Sequence, residues 1–394
     1  MADNPNIAMM NITAQDAVLR PLVQPRLERV MASGRYINGP EVAELEAALA
    51  EFTGAHHAVA CSSGTDALLM LLMAHGVGPG HAVFVPAFTF AATAGAVALA
   101  GATPVFVDID AATMNMSADS LSAAVAATAK TAQATPRAVI AVDLFGHLAD
   151  YEALGQLCAR HELLLLEDAA QSMGASRSRR MAGGLGIDAA TSFFPAKPLG
   201  CWGDGGMVFT SNSDTADLLR SIREHGQGGD RYRNLRVGLN ARMDTMQAAV
   251  LLARLPLFEQ ELNRRRELAE RYGRLLAAAA DASPRPAITL PMTAAGSLPA
   301  WAQYTLRVAD QRRDQLREAL AEQGIASGVY YPEPLSKQPA FANNSAGPVA
   351  LTTTEQACSE VLSLPISAYL GDDEQARVAE AVVTALLGTS TGGP

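Results

Sequence analysis

Short apolar runs alternate with longer amphipathic stretches along most of the chain, from about residue 56 onward. The short runs predict strands near residues 58–61, 82–85, 103–107, 138–142, 163–167, 190–194 and 206–210. The stretches between them predict helices near 64–75, 90–99, 118–127 and 151–160. This alternation is typical of a mostly parallel sheet with helices on both faces.

Residues 163–166 are four consecutive leucines, which by themselves are also compatible with a helix. The surrounding alternation favours a strand that is buried on both faces. A long helical pattern follows over 245–277, and the segment 282–286 then breaks the chain with two prolines. Beyond the break we expect a strand at 304–308, a helix at 311–323, a strand at 326–331 and a terminal helix at 373–387.

These elements predict an α/β protein of two domains. The large domain covers residues 1–277 and includes an N-terminal helical segment and a seven-stranded, mostly parallel sheet between helices. The small C-terminal α+β domain covers 278–394. The tail 388–394 is expected to be disordered.

Composition narrows the class of function. Of 394 residues, 49% are hydrophobic and 18% charged, with 30 Lys and Arg against 40 Asp and Glu, so the formal charge is −10. Binding to nucleic acid or to an anionic membrane would require a basic face, and the chain has no block of basic residues. Both partners are therefore disfavoured.

Two further patterns bear on location. The stretch 83–107 carries no charge, but its prolines and its Ala, Gly and Thr content favour strand, loop, buried helix and strand over a membrane span. The four cysteines are scattered, without Cys-x-x-Cys pairs or histidines at ligand spacing, so neither disulfides nor a metal site is predicted. With no signal peptide pattern at the N-terminus, we expect a cytoplasmic protein.

Polar residues follow three of the predicted strands, where ligands bind in open α/β sheets. The turn 62–67 (SSGTDA) leads into a helix and suits a phosphate, although an ordinary N-cap is the commoner explanation for such a turn taken alone. Asp168 and Gln171 follow the leucine strand and either anchor a loop or meet a ligand cation. Lys197 stands among apolar residues that lower the pKa of an ammonium, which suits a Schiff base, although an exposed loop lysine is the commoner case.

Together, a phosphate turn, a carboxylate and a desolvated lysine match the three handles of pyridoxal 5'-phosphate. A dinucleotide site at 76–80 (GVGPG) is disfavoured, because Pro79 and the next strand leave no helix start for a pyrophosphate.

The chain also resembles the sugar aminotransferase family named after DegT, DnrJ, EryC1 and StrS, over about residues 36–340. The resemblance rests on six ordered motifs: 63–68 (SGTDAL), 86–93 (PAFTFAAT), 107–110 (VDID), 167–171 (EDAAQ), 192–200 (SFFPAKPLG) and 239–244 (LNARMD). It implies the type I fold of pyridoxal-phosphate-dependent transferases and a transaminase activity.

The resemblance also implies roles for individual residues. Lys197 becomes the Schiff-base lysine and proton carrier, and Asp168 the partner of the pyridine nitrogen. Gln171 would meet the ring hydroxyl. Phe90 would stack on the ring, with Phe88 as the competing candidate. The phosphate would be held by Gly64, Thr65 and Ser192, with Asn240 reaching it from a neighbouring subunit.

The substrate implied by the segment 192–206 is a UDP-linked 2-acetamido-3-oxo-hexuronate, aminated at C3 for a surface polysaccharide such as lipopolysaccharide. Arg242 is the candidate for its carboxylate, unless it pairs with a nearby acid such as Asp244. Many relatives have histidines in the small-lobe loop where this chain has 330–336 (YYPEPLS). Tyr330 and Tyr331 are the expected substrate contacts, and the nucleotide-sugar contacts of this loop are expected to differ from those of the relatives with histidines.

The expected partners are L-glutamate as the amino donor and a second copy of the chain in a homodimer with shared sites. A 4-keto-6-deoxy nucleotide sugar is the alternative substrate. Two other classes are a deoxygenating relative, which Lys197 disfavours because histidine replaces that lysine there, and a non-catalytic sensor that binds the cofactor.

Overall fold

A computed structural model describes residues 6–131, 133–185, 188–229, 232–281, 286–342 and 349–388. Its strands, in chain order, are β1 His57–Cys61, β2 His81–Pro86, β3 Thr103–Val107, β4 Thr135–Val142, β5 Leu164–Asp168, β6 Ser176–Arg177, β7 Arg180–Met181, β8 Asp188–Ser192, β9 Gly206–Thr210, β10 Ile288–Thr289, β11 Ser297–Leu298, β12 Tyr304–Val308 and β13 Val361–Leu364.

Seven strands form the large sheet in the order β1-β9-β8-β5-β4-β2-β3. Strand β9 runs antiparallel to both of its neighbours, and the remaining pairs are parallel. The predicted mostly parallel sheet is therefore confirmed. The leucine run is also confirmed as a strand, because β5 lies between β4 and β8 in the middle of the sheet.

The helices cover both faces of this sheet. In chain order they are α1 Ile12–Ser33, α2 Pro40–Thr53, α3 Gly64–Ala74, α4 Ala91–Leu99, α5 Ala118–Thr131, α6 Tyr151–Arg160, α7 Ser213–Arg223, α8 Thr245–Leu275, α9 Ala277–Ala280, α10 Arg313–Glu322, α11 Thr352–Glu360 and α12 Asp372–Leu387. One apolar core includes residues of α3, α4 and α7, and the cores on the opposite face include residues of α2, α5, α6 and the first half of α8. Burying both faces explains why the strands read as continuous apolar runs.

The C-terminal part has its own sheet, in the order β10-β12-β13. The predicted strand at 326–331 is wrong: within it only Gly328 makes an isolated bridge, to Ser363 of β13. Val329, Tyr330 and Tyr331 instead pack against a cluster that contains Phe88. Their apolar character therefore serves the contact between the two parts of the chain.

The long helix α8 contributes to two cores. Its N-terminal half, which includes Leu251 and Phe258, packs under the large sheet, and Leu268 and Tyr272 belong to the core of the C-terminal sheet. Ile7 also joins that second core and pairs with Ile325. The domain boundary near residue 277 stays a prediction, because both ends of the first domain reach the second core.

Two remaining expectations concern segments outside the sheets. The stretch 83–107 folds as strand, loop, helix and strand, as predicted. Among the helices of the described ranges, none has both the length and the apolar character needed to cross a bilayer. Of the tail predicted to be disordered, residues 389–394 lie outside the described residues.

Candidate active site

The candidate site residues converge at the carboxyl edge of the large sheet. Strand β1 ends at Cys61, β5 ends at Asp168 and β8 ends at Ser192. These three strands run in the same direction, so the residues that follow them meet at one edge although up to 130 positions separate them.

The turn 62–65 lies against Ser192 at this edge. Ser63 caps helix α3, because its Oγ accepts a hydrogen bond from the backbone N–H of Asp66 at 3.0 Å. Gly64 begins the helix, and a Cβ atom built on it would lie 2.7 Å from Cβ of Ser192. The first N–H groups of a helix have no acceptor within it, so Gly64 and Thr65 present donors and the positive dipole end beside a serine hydroxyl.

Asp168 is buried at the end of β5. Its Oδ2 accepts a hydrogen bond from the Thr93 hydroxyl at 2.8 Å, and its Oδ1 accepts one from the backbone N–H of Ala170 at 3.2 Å. Burial raises the pKa of Asp168, whereas these two donors and the charge of Lys197 lower it. A cation bound beside this buried carboxylate would therefore stabilise its ionised form.

Lys197 lies on the loop that follows β8. Its backbone N–H donates to the carbonyl of Phe194 at 2.8 Å, which closes a turn over residues 194–197. Burial lowers the pKa of Lys197, and the charge of Asp168 raises it. The uncharged amine, which is the nucleophilic form, is therefore easier to populate than in a lysine on the surface.

Two more carboxyl groups, Asp143 and Glu167, are fully buried behind Asp168. Asp143 accepts hydrogen bonds from Tyr151 and Ser172, both at 2.7 Å, yet burial raises its pKa to about 6. Burial and the charge of Asp143 raise the pKa of Glu167 well above its usual value. Neighbouring buried carboxyl groups disfavour ionisation of both, so this pair holds a proton near neutral pH.

Gln171 and two aromatic residues form one wall of the site. Gln171 accepts from the backbone N–H of Phe145 at 2.6 Å and donates to the Tyr331 hydroxyl at 3.3 Å. Phe90 is 56% exposed, with its ring 6.3 Å from that of Tyr331. Phe88 is buried in a core cluster. Of the two phenylalanines, Phe90 is therefore the one accessible to a bound ring.

Asn240 and Arg242 flank Ala241, whose carbonyl accepts a hydrogen bond from the backbone N–H of Ser62 at 3.0 Å, so their segment borders the turn 62–65 within this chain. Asn240 is exposed and pairs through its backbone with Glu224. Arg242 lies 3.5 Å from Glu224 rather than pairing with the acid named from the sequence, Asp244. Its Nε is buried and lacks a hydrogen-bond partner among the described residues.

Thr93 is the site residue to which the sequence assigned no role. It lies within the 86–93 motif, and its hydroxyl contacts Asp168 directly. Its position in the first turn of α4, just after the motif's two phenylalanines, was the available signal.

These residues fit pyridoxal phosphate. A side chain at Gly64 would collide with Ser192. Because glycine has none, the helix N-terminus lies directly beside the serine hydroxyl and stays open to a phosphate. Asp168 supplies a buried carboxylate for a protonated ring nitrogen, and Lys197 supplies a desolvated amine for the aldehyde.

Comparison with known proteins gives the same picture. A family model described as the DegT/DnrJ/EryC1/StrS aminotransferase family matches residues 19–383. The chain is 41% identical over 366 residues to the UDP-2-acetamido-2-deoxy-3-oxo-D-glucuronate aminotransferase of Pseudomonas aeruginosa, covering 92% of this chain and 96% of that protein. It is also 41% identical over 377 residues to a protein of Geobacillus stearothermophilus named pleiotropic regulatory protein, covering 96% and 98%.

Solved structures share the fold. A DegT DnrJ EryC1 StrS aminotransferase from Brucella abortus matches with a TM-score of 0.92 and 45% identity, covering 97% of this chain and all of that one. NtdA from Bacillus subtilis, solved with bound cofactor PMP, matches with a TM-score of 0.88 and 27% identity, covering 98% and 87%.

Proposed function

The chain belongs to the DegT/DnrJ/EryC1/StrS aminotransferase family and is a pyridoxal-phosphate-dependent aminotransferase, and we propose that it transfers the amino group of L-glutamate to C3 of a UDP-linked 2-acetamido-3-oxo-hexuronate. The observation that carries the chemistry is the meeting of the α3 N-terminus, Asp168 and Lys197 at one edge of the sheet. The substrate rests on the 41% identical Pseudomonas enzyme.

Each binding residue would hold a different part of the cofactor. Gly64, Thr65 and Ser192 would hold the phosphate, Asp168 the ring nitrogen and Lys197 the aldehyde carbon. When bound, pyridoxal phosphate supplies the electron sink that stabilises a carbanion at the amino-bearing carbon. The protein contributes binding, orientation and proton transfer.

Asp168 acts by keeping a proton on the ring nitrogen. The hydroxyl of Thr93 and the backbone N–H of Ala170 both donate to its oxygens, so these donors stabilise the ionised carboxylate and fix its direction. An ionised carboxylate beside the nitrogen holds the proton that the electron sink requires.

Lys197 acts as the base and acid at the substrate carbon. A general base works best when its pKa lies near the working pH, and burial moves the pKa of this amine downward toward that range. In the glutamate half-reaction, Nζ of Lys197 would therefore move the proton from the amino-bearing carbon to the carbon of the cofactor's aldehyde group. In the sugar half-reaction it would move a proton from that carbon to C3 of the sugar.

The surroundings of Arg242 support a substrate that carries a carboxylate, such as a hexuronate. Its guanidinium is only partly engaged, because it pairs with Glu224 at 3.5 Å and leaves a buried Nε without a partner among the described residues. A planar guanidinium binds a carboxylate through two parallel hydrogen bonds, which a neutral sugar would not provide.

The decisive experiment compares the two half-reactions in single turnovers. Arg242→Ala and Arg242→Lys should weaken use of the 3-oxo-hexuronate by about 2–5 kcal/mol if the ion pair is desolvated. The glutamate half-reaction should change far less. Arg220→Ala is the matched control, because among the described residues that arginine pairs with exposed Asp217 on the surface of α7. Equal use of the uronate and the matching neutral hexose by the wild type would contradict the proposal.

The donor and the sugar are tested separately by a panel of UDP- and dTDP-keto-sugars, each with glutamate and with glutamine. Preference for a 4-keto-6-deoxy sugar would replace the substrate while keeping the aminotransferase chemistry. A regulatory role is the second candidate, because the Geobacillus relative is named a regulatory protein. That role predicts cofactor binding without turnover on any member of the panel.

We further propose that the active unit is a homodimer in the cytoplasm, serving surface polysaccharide synthesis such as that of lipopolysaccharide. Large apolar side chains stay exposed in the single chain, among them Tyr36, Ile37, Phe90, Phe194, Leu235 and Val237. A neighbouring copy that covers them would bring its own Asn240 toward the phosphate turn. The four free, buried cysteines suit a reducing compartment.

A further inference from the structure

A fully buried arginine lies next to the loop that carries Lys197. Arg254 of α8 is 1% exposed. Its guanidinium donates to the carbonyl of Pro198 and to the carbonyl of Gly200, both at 2.9 Å. These are the carbonyls of the first and third residues after the lysine, so Arg254 directly contacts the returning limb of the loop.

The loop itself is tightly closed at this point. A Cβ atom built on Gly200 would lie 2.5 Å from the carbonyl oxygen of Pro195 and 2.8 Å from that of Phe194. The two limbs of the loop therefore approach each other with Lys197 between them. Loop carbonyls that are buried need donors, and Arg254 supplies two of them from one rigid group.

The same arginine is joined to the C-terminal part of the chain. Its Nε and one NH2 nitrogen donate to Oε2 of Glu261, at 3.1 and 2.7 Å. The other oxygen of Glu261 accepts the Tyr369 hydroxyl at 2.7 Å. Tyr369 follows the C-terminal sheet, so a continuous chain of charged hydrogen bonds runs from the Lys197 loop to that part of the molecule.

A buried ion pair by itself says little about stability, because desolvation offsets much of the attraction. This pair differs from a purely structural one in what the guanidinium contacts, namely the backbone on the C-terminal side of the reactive lysine. Small displacements of a catalytic group have large effects on rate.

We propose that Arg254 is a positioning residue that holds Lys197 in its working geometry, and that Glu261 and Tyr369 link this position to the C-terminal lobe. This inference rests on the proposed role of Lys197. Arg254 acts through the carbonyls of Pro198 and Gly200 and touches neither cofactor nor substrate.

The test uses the full-length enzyme with Arg254→Lys, which keeps the charge but loses the planar fork. We expect the single-turnover rate with glutamate to fall about tenfold or more. The Kd for glutamate should stay within about twofold, because the substrate-binding groups are unchanged. The apoprotein should also regain its visible absorbance more slowly when pyridoxal phosphate is added, and the pH midpoint of that absorbance should shift.

Arg265→Lys is the matched control. Arg265 is likewise fully buried on α8 and donates to two backbone carbonyls, those of Trp301 and Ile366, which are not part of the Lys197 loop. A lysine at this position keeps the charge that acts on Arg254, Glu261 and Tyr369, so the variant removes only the contacts with those carbonyls. It should lose stability to a similar degree while keeping the wild-type rate, recombination and pH midpoint. Equal losses in both variants, or wild-type behaviour of Arg254→Lys, would overturn the inference.

Tyr369→Phe keeps the inference testable if Arg254→Lys does not fold. It removes only the hydroxyl that donates to Glu261, and it should shift the same pH midpoint in the same direction by a smaller amount. An unchanged midpoint in that variant would contradict the link. Borohydride mapping of the wild type distinguishes the two levels of failure, because a label on another lysine would remove the proposed role of Lys197 itself.

Discussion

At the scale of single residues, burial has opposite effects on the two central groups of the site. It raises the pKa of Asp168 and lowers that of Lys197, so each is pushed toward its neutral form. The charge of each opposes the effect of burial on the other. The pair therefore remains responsive to a bound group that supplies or takes a proton.

The identity of the reactive lysine can be tested cleanly because the chain has three lysines, Lys130, Lys197 and Lys337. The other two are exposed, and Lys337 pairs with Glu355. We expect the purified protein to be yellow, and borohydride reduction followed by peptide mapping should find the pyridoxyl group on Lys197. Lys197→Ala should still bind the phosphate but lose turnover. A label on Lys130 or Lys337 would refute the assignment.

His147 gives a pH prediction that does not depend on catalysis. Its Nε2 is buried without a partner among the described residues, and burial lowers its pKa from 6.5 to about 4. Between these pH values His147 binds a proton in the unfolded chain but not in the folded one. Its contribution to the free energy of unfolding is therefore lost as pH falls through that window.

We therefore expect His147→Phe, which keeps an aromatic contact with Trp301, to gain stability relative to the wild type by about 3 kcal/mol as pH falls from 6.5 to 4. Unfolding of both proteins in denaturant at several pH values measures this difference. The comparison is needed because Asp143, whose pKa is raised to about 6, contributes in the opposite direction over the same range. A difference that is independent of pH would contradict the prediction.

At the scale of elements, the start of α3 is the feature on which cofactor affinity depends most. Gly64→Ala places a Cβ 2.7 Å from that of Ser192 and forces the helix start away from β8. Overpacking of this kind costs about 1–3 kcal/mol. We expect the Kd for pyridoxal phosphate to rise roughly tenfold or more, measured by titration of the apoprotein.

Gly155→Ala in α6 is the control for this substitution. The nearest heavy atom to its added Cβ is Cδ2 of Leu165 at 4.0 Å, so the methyl group meets ordinary van der Waals space. A helix interior favours alanine over glycine by about 1 kcal/mol, and cofactor affinity should stay unchanged. Equal Kd values for the two variants would show that the contact with Ser192 does not shape the phosphate site.

At the scale of the whole molecule, the proposed shared site predicts complementation between subunits. Lys197→Ala and Asn240→Ala chains should each be inactive, and mixed dimers should regain activity because one of their two sites receives both intact residues. The fraction rescued after subunit exchange is measured with glutamate and the keto-sugar. Failure of rescue despite proven exchange would mean that Asn240 acts within its own chain.

The sequence by itself determined the local elements and the chemical groups. Hydrophobic periodicity reflects which face of an element is buried, so the seven strands and most helices could be placed from it. Lys197, Asp168 and the turn at Gly64 stand at strand ends with residue types that only a few chemistries need. These features are local, and each can be recognised from a short segment of the sequence.

Only the tertiary structure decided which distant surfaces meet. It brings Gly64 against Ser192, pairs Arg242 with Glu224, and gives the third strand of the small sheet to 361–364. It also places Arg254 against the carbonyls that follow Lys197. Strand partners and ion pairs depend on how whole layers of helices and strands pack, and that packing cannot be derived from the spacing of residues along the sequence.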